Sequence, residues 1–167
     1  MPYRIRRDIM INLIYDANFI VAFIDKNDKW HKEVNAIHEE VKARDLGIVY
    51  FDCVANEVIS VLGKRFEEKG RDEEFKEIIG KFKEVVPKEK LSWIYPNIIN
   101  YYDEILTLMA KSKGRLNFHD ALISVTARKM ALKYIVSFDE DFDKIEWFVR
   151  IKDIKGLRNI KFKEVKR

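Results

Sequence analysis

The chain has 167 residues, a formal net charge of +4, and 47% hydrophobic and 36% charged residues, the balance of one soluble globular domain. Its single cysteine, Cys53, excludes an intramolecular disulfide framework and a multi-cysteine zinc site. No apolar run reaches the length of a membrane span and the N-terminus lacks a signal-peptide core, so the expected location is the cytoplasm, away from membranes. The mild basic excess favours a polyanionic partner, nucleic acid above all.

Residues 1–9 have no clear period and read as a short extension. An apolar strand over 11–15 ends abruptly at Asp16, and a helix over about 17–25 follows at once. Trp30, Val34, Ile37 and Val41 recur at helical spacing and predict an amphipathic helix over about 28–44. His31 and His38 lie near its stripe, but nothing completes a ligand set around them, so packing or solvent-facing roles are expected. Leu46 to Phe51 reads as a second buried strand, and Asp52 is placed to cap the helix carrying Val54, Val58, Val61, Leu62 and Phe66. Cys53 lies in that apolar segment and reads as a packed, inert thiol. A further helix runs from near Arg71 to Pro87, a short strand is possible over 91–94, and Pro96 introduces a long helix closed by Gly114.

The helix over about 118–132 is apolar nearly all round, the mark of a central, buried helix. Tyr134 to Phe138 is a strand, 139–142 an acidic turn, and Trp147 to Ile151 a last edge strand. From Lys152 the chain turns basic. Alternating strands and helices imply parallel pairing. The expected fold is a three-layer α/β/α sandwich on a mostly parallel sheet of four or five strands. The extension covers 1–9, the domain 10–152 and a basic C-terminal tail 153–167. Tyr15 and Phe138 must then share one sheet.

Several acids have a structural use and a chemical one. Asp16 is placed as an N-cap, yet it also stands at the carboxyl edge of the sheet, where open α/β folds bind ligands. Glu57 borders an apolar stripe, where a carboxylate must snorkel, pair or ligate. Asp120 forms a capping-box pattern with Asn117, beside His119. Asp139 and Asp141 follow a buried strand, and residues 137, 139 and 141 point one way if the chain stays extended. Asp16 and Asp139 end strands, while Glu57 and Asp120 begin helices, and these places converge at one sheet edge. Clustered carboxylates repel unless a cation joins them, and hard oxygen donors suit Mg²⁺ or Mn²⁺. Phosphodiester hydrolysis is the chemistry such a site serves. A phosphatase built on an Asp-x-Asp pair is disfavoured, because Asn18 occupies the second position.

The pieces Ile14-Tyr15-Asp16-Ala17-Asn18, Ala55-Asn56-Glu57-Val58, Asn117 to Ile123 and Val136 to Phe142, in this order, resemble the PIN domain over roughly residues 10–155. The resemblance implies a metal-dependent ribonuclease, and many PIN domains are VapC-type toxins of toxin–antitoxin pairs. It implies that Asp16, Glu57 and Asp120 hold Mg²⁺ or Mn²⁺. Asp139 or Asp141 then supplies a fourth acid, Asp139 being nearer the strand end, and Asn18 orients a carboxylate or water. The implied substrate is RNA. Further partners are a second copy of the chain and an antitoxin peptide, for which the helices at 28–44 and 53–69 offer an apolar groove. The alternative is a non-catalytic RNA-binding or scaffold module that retains the fold.

Overall fold

The computed structural model describes residues 10–161. Strand β1, Asn12–Tyr15, is the middle of the molecule. Leu13 and Ile14 are fully buried and Tyr15 nearly so, because layers of helix cover both sheet faces. β1 pairs in parallel with β2 (Gly47–Phe51) on one side and with β4 (Tyr134–Val136) on the other. β3 (Leu91–Ser92) extends the sheet beyond β2, and β5 (Val149–Ile151) extends it beyond β4, again in parallel. The order is β3-β2-β1-β4-β5, a three-layer α/β fold as expected, with Tyr15 opposite Val136 in one sheet.

This order has a consequence for ligands. The chain runs outward from β1 through β2 to β3, then returns to the other side of β1 for β4 and β5. The direction reverses between β1 and β4, and a crevice opens at the carboxyl ends of strands at such a reversal. Asp16 and Ser137, each directly following its strand, meet there.

The helices are α1 (Ala17–Ile24), α2 (His31–Ala43), α3 (Asp52–Glu68), α4 (Phe75–Val85), α5 (Ile98–Lys111), α6 (Phe118–Lys129) and α7 (Ile154–Arg158). α6 is buried from Ala121 to Ala127 without a break, which explains its apolar circumference. Cys53 is fully buried and burial pushes its thiol up to about 12, so it packs as an inert group.

Four expectations change. The α2 stripe of Val34, Ile37 and Val41 is fully buried, but Trp30 lies before the helix and is 43% exposed. β4 stops at Val136 rather than Phe138, because Ser137 and Phe138 turn their groups to the site. The stripes of α2 and α3 are spent on the core, with Val34, Ile37, Val41, Val54, Val58, Leu62 and Phe66 all buried, so these residues are not open to a partner helix. The basic stretch from 153 begins as a packed element: α7 buries Leu157, Ile160 joins the core, and Arg44 of the segment after α2 donates to both their carbonyls. The N-terminal extension (1–9) and the end of the tail (162–167) lie outside the described residues.

Candidate metal centre at the carboxyl edge of the sheet

Asp16 is buried, and every hydrogen bond to it comes from a donor. Its Oδ1 accepts from Ala17 N at 2.8 Å, and its Oδ2 from Ser137 Oγ at 2.5 Å and Asn18 Nδ2 at 3.0 Å. Both uses foreseen for Asp16 therefore coexist, since the bond to Ala17 N caps α1. Asn18 spends its whole amide here: Nδ2 also reaches Ser137 Oγ at 3.1 Å, and Oδ1 accepts Phe138 N–H at 3.2 Å. Asn18 thus ties the ends of β1 and β4 together and orients the Asp16 carboxylate. Ser137 was not among the candidate site residues, yet it is fully buried at the centre of this network and accepts from Asp139 N at 3.0 Å. The signal for it was its place one step beyond an apolar strand, in period with Asp139.

Asp120 and Asn117 form a complete capping box: Asn117 N donates to Asp120 Oδ2 at 3.2 Å, and Asp120 N to Asn117 Oδ1 at 2.9 Å. The box uses one carboxylate oxygen and leaves Oδ1 for a ligand. Glu57, half-buried on the second turn of α3, accepts no hydrogen bond and joins no ion pair among the described residues. Asp139 caps the 3-10 turn at 140–144 by accepting Asp141 N–H at 2.9 Å. That turn bends the chain, so alternation fails and Asp141 swings outward. Its Oδ1 pairs with Lys144 Nζ at 2.8 Å, and it lines a groove of about 670 Å³ between α5 and the 140–147 segment that contains none of the other four acids.

Electrostatics binds Asp16, Glu57, Asp120 and Asp139 into one unit. Burial raises the carboxyl of Asp16, against the pull of Ser137 and Ala17, and the charge of Asp139 adds to it. Burial also raises Glu57, with Asp16 and Asp139 contributing. Asp120 is pushed up to about 7, by burial first and then by Asp16, Asp139 and Glu57, against its Asn117 hydrogen bond. Asp16, Glu57 and Asp120 are each raised in part by the charge of Asp139, and Glu57 and Asp120 also by that of Asp16. No Lys or Arg among the described residues forms an ion pair with any of the four. Asp141 is absent from this mutual coupling.

Such a set is destabilising until a cation shares it. Carboxylate oxygens alone, with no thiol or imidazole, fit a hard divalent ion. Among the described residues no three Asp, Glu, His or Cys side chains already stand in ligand geometry. The acids share a field rather than a ready-made ligand shell, and Glu57, which no hydrogen bond or ion pair holds among the described residues, is the most able to swing toward a common ion. The histidines belong elsewhere: His38 Nδ1 lies 3.0 Å from Tyr15 Oη, and His31 Nδ1 lies 2.8 Å from the Ala22 carbonyl.

A parallel sheet with an acid cluster at its reversal point defines an α/β protein of the carboxylate-site class. The PIN domain profile matches residues 13–147, and the chain belongs to that family. A comparison with curated protein sequences finds no match. Among solved structures the fold is similar to VapC20 of Mycobacterium tuberculosis, a toxin that cleaves the sarcin–ricin loop, with a TM-score of 0.64 and 15% identity over 83% of this chain and 98% of that one. It is also similar to VapBC2 of Rickettsia felis, bound to a DNA fragment from its promoter (TM-score 0.61, 16% identity, 84% of this chain and 98% of that one). The DNA-bound VapBC of Salmonella typhimurium aligns with a TM-score of 0.60 and 14% identity, over 85% of this chain and 98% of that one.

Proposed function

We propose that the chain is a Mg²⁺- or Mn²⁺-dependent endoribonuclease, with Asp16, Glu57, Asp120 and Asp139 as the metal-holding acids and Asn18 and Ser137 as their positioning residues. The observation that carries this is that Asp16, Glu57 and Asp120 are all held above their usual values, by burial and by neighbouring acids including Asp139, with no cation among the described residues paired to them. Bound there, a divalent ion supplies charge neutralisation at the transferring phosphate and a more acidic water. The chain's own part is to fix Asp16 through Ser137, Asn18 and Ala17, to hold Asp120 by its Asn117 cap, and to keep Glu57 free to adjust. The chain's net charge of +4 favours a polyanionic partner. Asp141, paired with Lys144, supports the turn and stays outside the ligand set.

In keeping with the VapC likeness, the working role is that of a cytoplasmic toxin-like nuclease acting as a homodimer and restrained by an antitoxin peptide. Among the described residues no helix is long and apolar enough to cross a membrane. The second reading, a non-catalytic RNA-binding module, draws support from the lack of a ready ligand shell. Two measurements separate them. The nuclease cuts RNA with Mn²⁺ and gains thermal stability from it, because an ion bound only by the folded state stabilises that state. The module shows neither.

A further inference from the structure

Trp30 is a large aromatic that the core does not take. It stands one turn before Val34 in the buried stripe of α2, yet it is 43% exposed. The loop that presents it is fixed from below. Arg65 Nη1 bridges Asp25 at 3.1 Å and Asp28 at 2.6 Å, and Asp28 Oδ1 accepts Trp30 N–H at 2.8 Å. A ring held in advance binds with less loss of conformational freedom than a mobile one.

One face of the indole is backed by Phe138, with ring centroids 4.9 Å apart and planes 18° apart. Phe138 directly precedes Asp139, and its N–H is held by the same Asn18 amide that orients Asp16. The exposed ring is therefore joined through Phe138 to the segment that carries Asp139. Lys29 Nζ lies 5.3 Å from the Trp30 ring centroid. That ammonium lies over the ring on an exposed lysine stem, so it can move off to a phosphate as a nucleobase takes its place on the indole. A protein partner would instead call for apolar neighbours around the tryptophan, and here residues 25–29 are Asp, Lys, Asn, Asp and Lys.

We propose that Trp30, backed by Phe138 and flanked by Lys29, is a stacking platform for one unpaired base of an RNA strand lying across the acid cluster. This rests on the nuclease reading and assigns Trp30 as the residue that receives one base of its substrate.

Binding is measured in the full chain carrying Asp120→Asn, with Mg²⁺ present, so that the strand survives. The probes are a single-stranded oligoadenylate about ten nucleotides long and an abasic strand of equal length. Trp30→Ala and Trp30→Leu are expected to weaken the single strand about tenfold, Trp30→Tyr to retain most of the affinity, and all three to leave the abasic strand unchanged. With Asp120 restored and Mn²⁺ added, Trp30→Ala raises KM and spares kcat, whereas loss of folded protein lowers the apparent kcat and leaves KM unchanged. Equal affinity of Trp30→Ala and its parent for the single strand overturns the platform, as does an equal loss on the abasic strand. If the unsubstituted chain still cuts RNA in that case, only the platform falls. An unsubstituted chain that neither binds nor cuts removes the nuclease reading and the platform together.

Discussion

Asp16 and Asp52 stand at the same point on neighbouring strands. Each directly follows the last residue of a parallel strand, and they are 6% and 5% exposed. Their partners differ. Asp52 accepts backbone N–H groups only, from Cys53 at 2.9 Å, Ile94 at 3.0 Å and Tyr95 at 3.1 Å. It staples the segment after β3 to the start of α3. Asp16 accepts one backbone N–H, one hydroxyl and one side-chain amide, and it shares its field with three further acids. A strand end at this edge makes a carboxylate available; the neighbours decide whether it fastens the backbone or serves a ligand.

The same substitution should therefore have opposite outcomes at the two positions. Asp16→Asn, like Asp120→Asn, removes an anionic ligand while keeping size. RNA cleavage should fall on the order of a hundredfold or more in both. In metal-free buffer the melting temperature should hold or rise in Asp120→Asn, because repulsion is relieved and no donor among the described residues faces Oδ1. In Asp16→Asn that relief is offset by an amide donor turned toward the donors around it. Asp52→Asn keeps cleavage but turns an amide donor toward one of three backbone donors. Leaving a buried donor unmet costs about 1–3 kcal/mol, and each kcal/mol lowers the melting temperature by about 2–4 °C in a chain of this size. Cleavage assays and thermal melts on the three variants check both halves. Wild-type cleavage in Asp16→Asn and Asp120→Asn would erase the distinction.

The pH dependence sharpens the contrast further. Asp120 titrates near 7 in the fold and near 4 when unfolded, and Asp16 and Glu57 are raised as well. Between those values the folded chain holds more protons than the unfolded chain, so stability falls as pH rises. In EDTA the melting temperature should drop on the order of 5 °C from pH 5 to pH 8, and Asp120→Asn should flatten that slope. Asp28 works the other way. Burial favours its protonated form, but Trp30 N–H and Arg65 outweigh it and hold the carboxyl below its usual value, so its contribution is present at neutral pH and is lost in acid. A stability curve that is flat from pH 5 to 8 in EDTA would mean the acids do not share a field.

How far the chain could be read from its letters follows from the range of the interactions. Strand ends and helix starts are local, so Asp16, Glu57, Asp120 and Asp139 were legible as a set once parallel pairing was inferred. The capping box of Asn117 and Asp120, three residues apart, was legible for the same reason. The staple of Asp52 was not, because its partners Ile94 and Tyr95 lie more than forty positions away. Trp30 was misplaced because its spacing continues the α2 stripe across a helix start that is set by the turn at Asp25 and Asp28 and the distant Arg65 that pairs with both. The count of basic residues after 152 hid Leu157 and Ile160, which bury against the core.

Ser137 tests how the Asp16 side of the comparison is maintained. Its hydroxyl is the largest influence opposing burial at Asp16. Ser137→Ala leaves the carboxylate with Asn18 and Ala17 alone, and Asn18 Nδ2 loses one acceptor. Loss of such an orienting partner typically lowers metal affinity or activity 10- to 100-fold. Cleavage should fall at limiting Mn²⁺ and recover in part at high Mn²⁺, because the ligands themselves remain. No recovery, or no loss, would place Ser137 outside the support of the metal site.

The smallest effect is expected at Asp141, two residues from one of the largest. Asp139 lies within the shared field and Asp141 does not. Asp139→Asn should cripple cleavage as Asp16→Asn does, while its side-chain oxygen still accepts Asp141 N–H and keeps the turn. Asp141→Asn removes only the partly exposed pair with Lys144. Pairs of that kind contribute about 0–1 kcal/mol, so the melting temperature should move by no more than a few degrees and cleavage should stay near wild type. Lys144→Ala should reproduce the same small change, and the double variant should add little to either single one, since both break one bond. A loss of cleavage in Asp141→Asn that Lys144→Ala does not share would show that Asp141 reaches the metal after all. The 3-10 turn at 140–144 would then have to open when the ion binds.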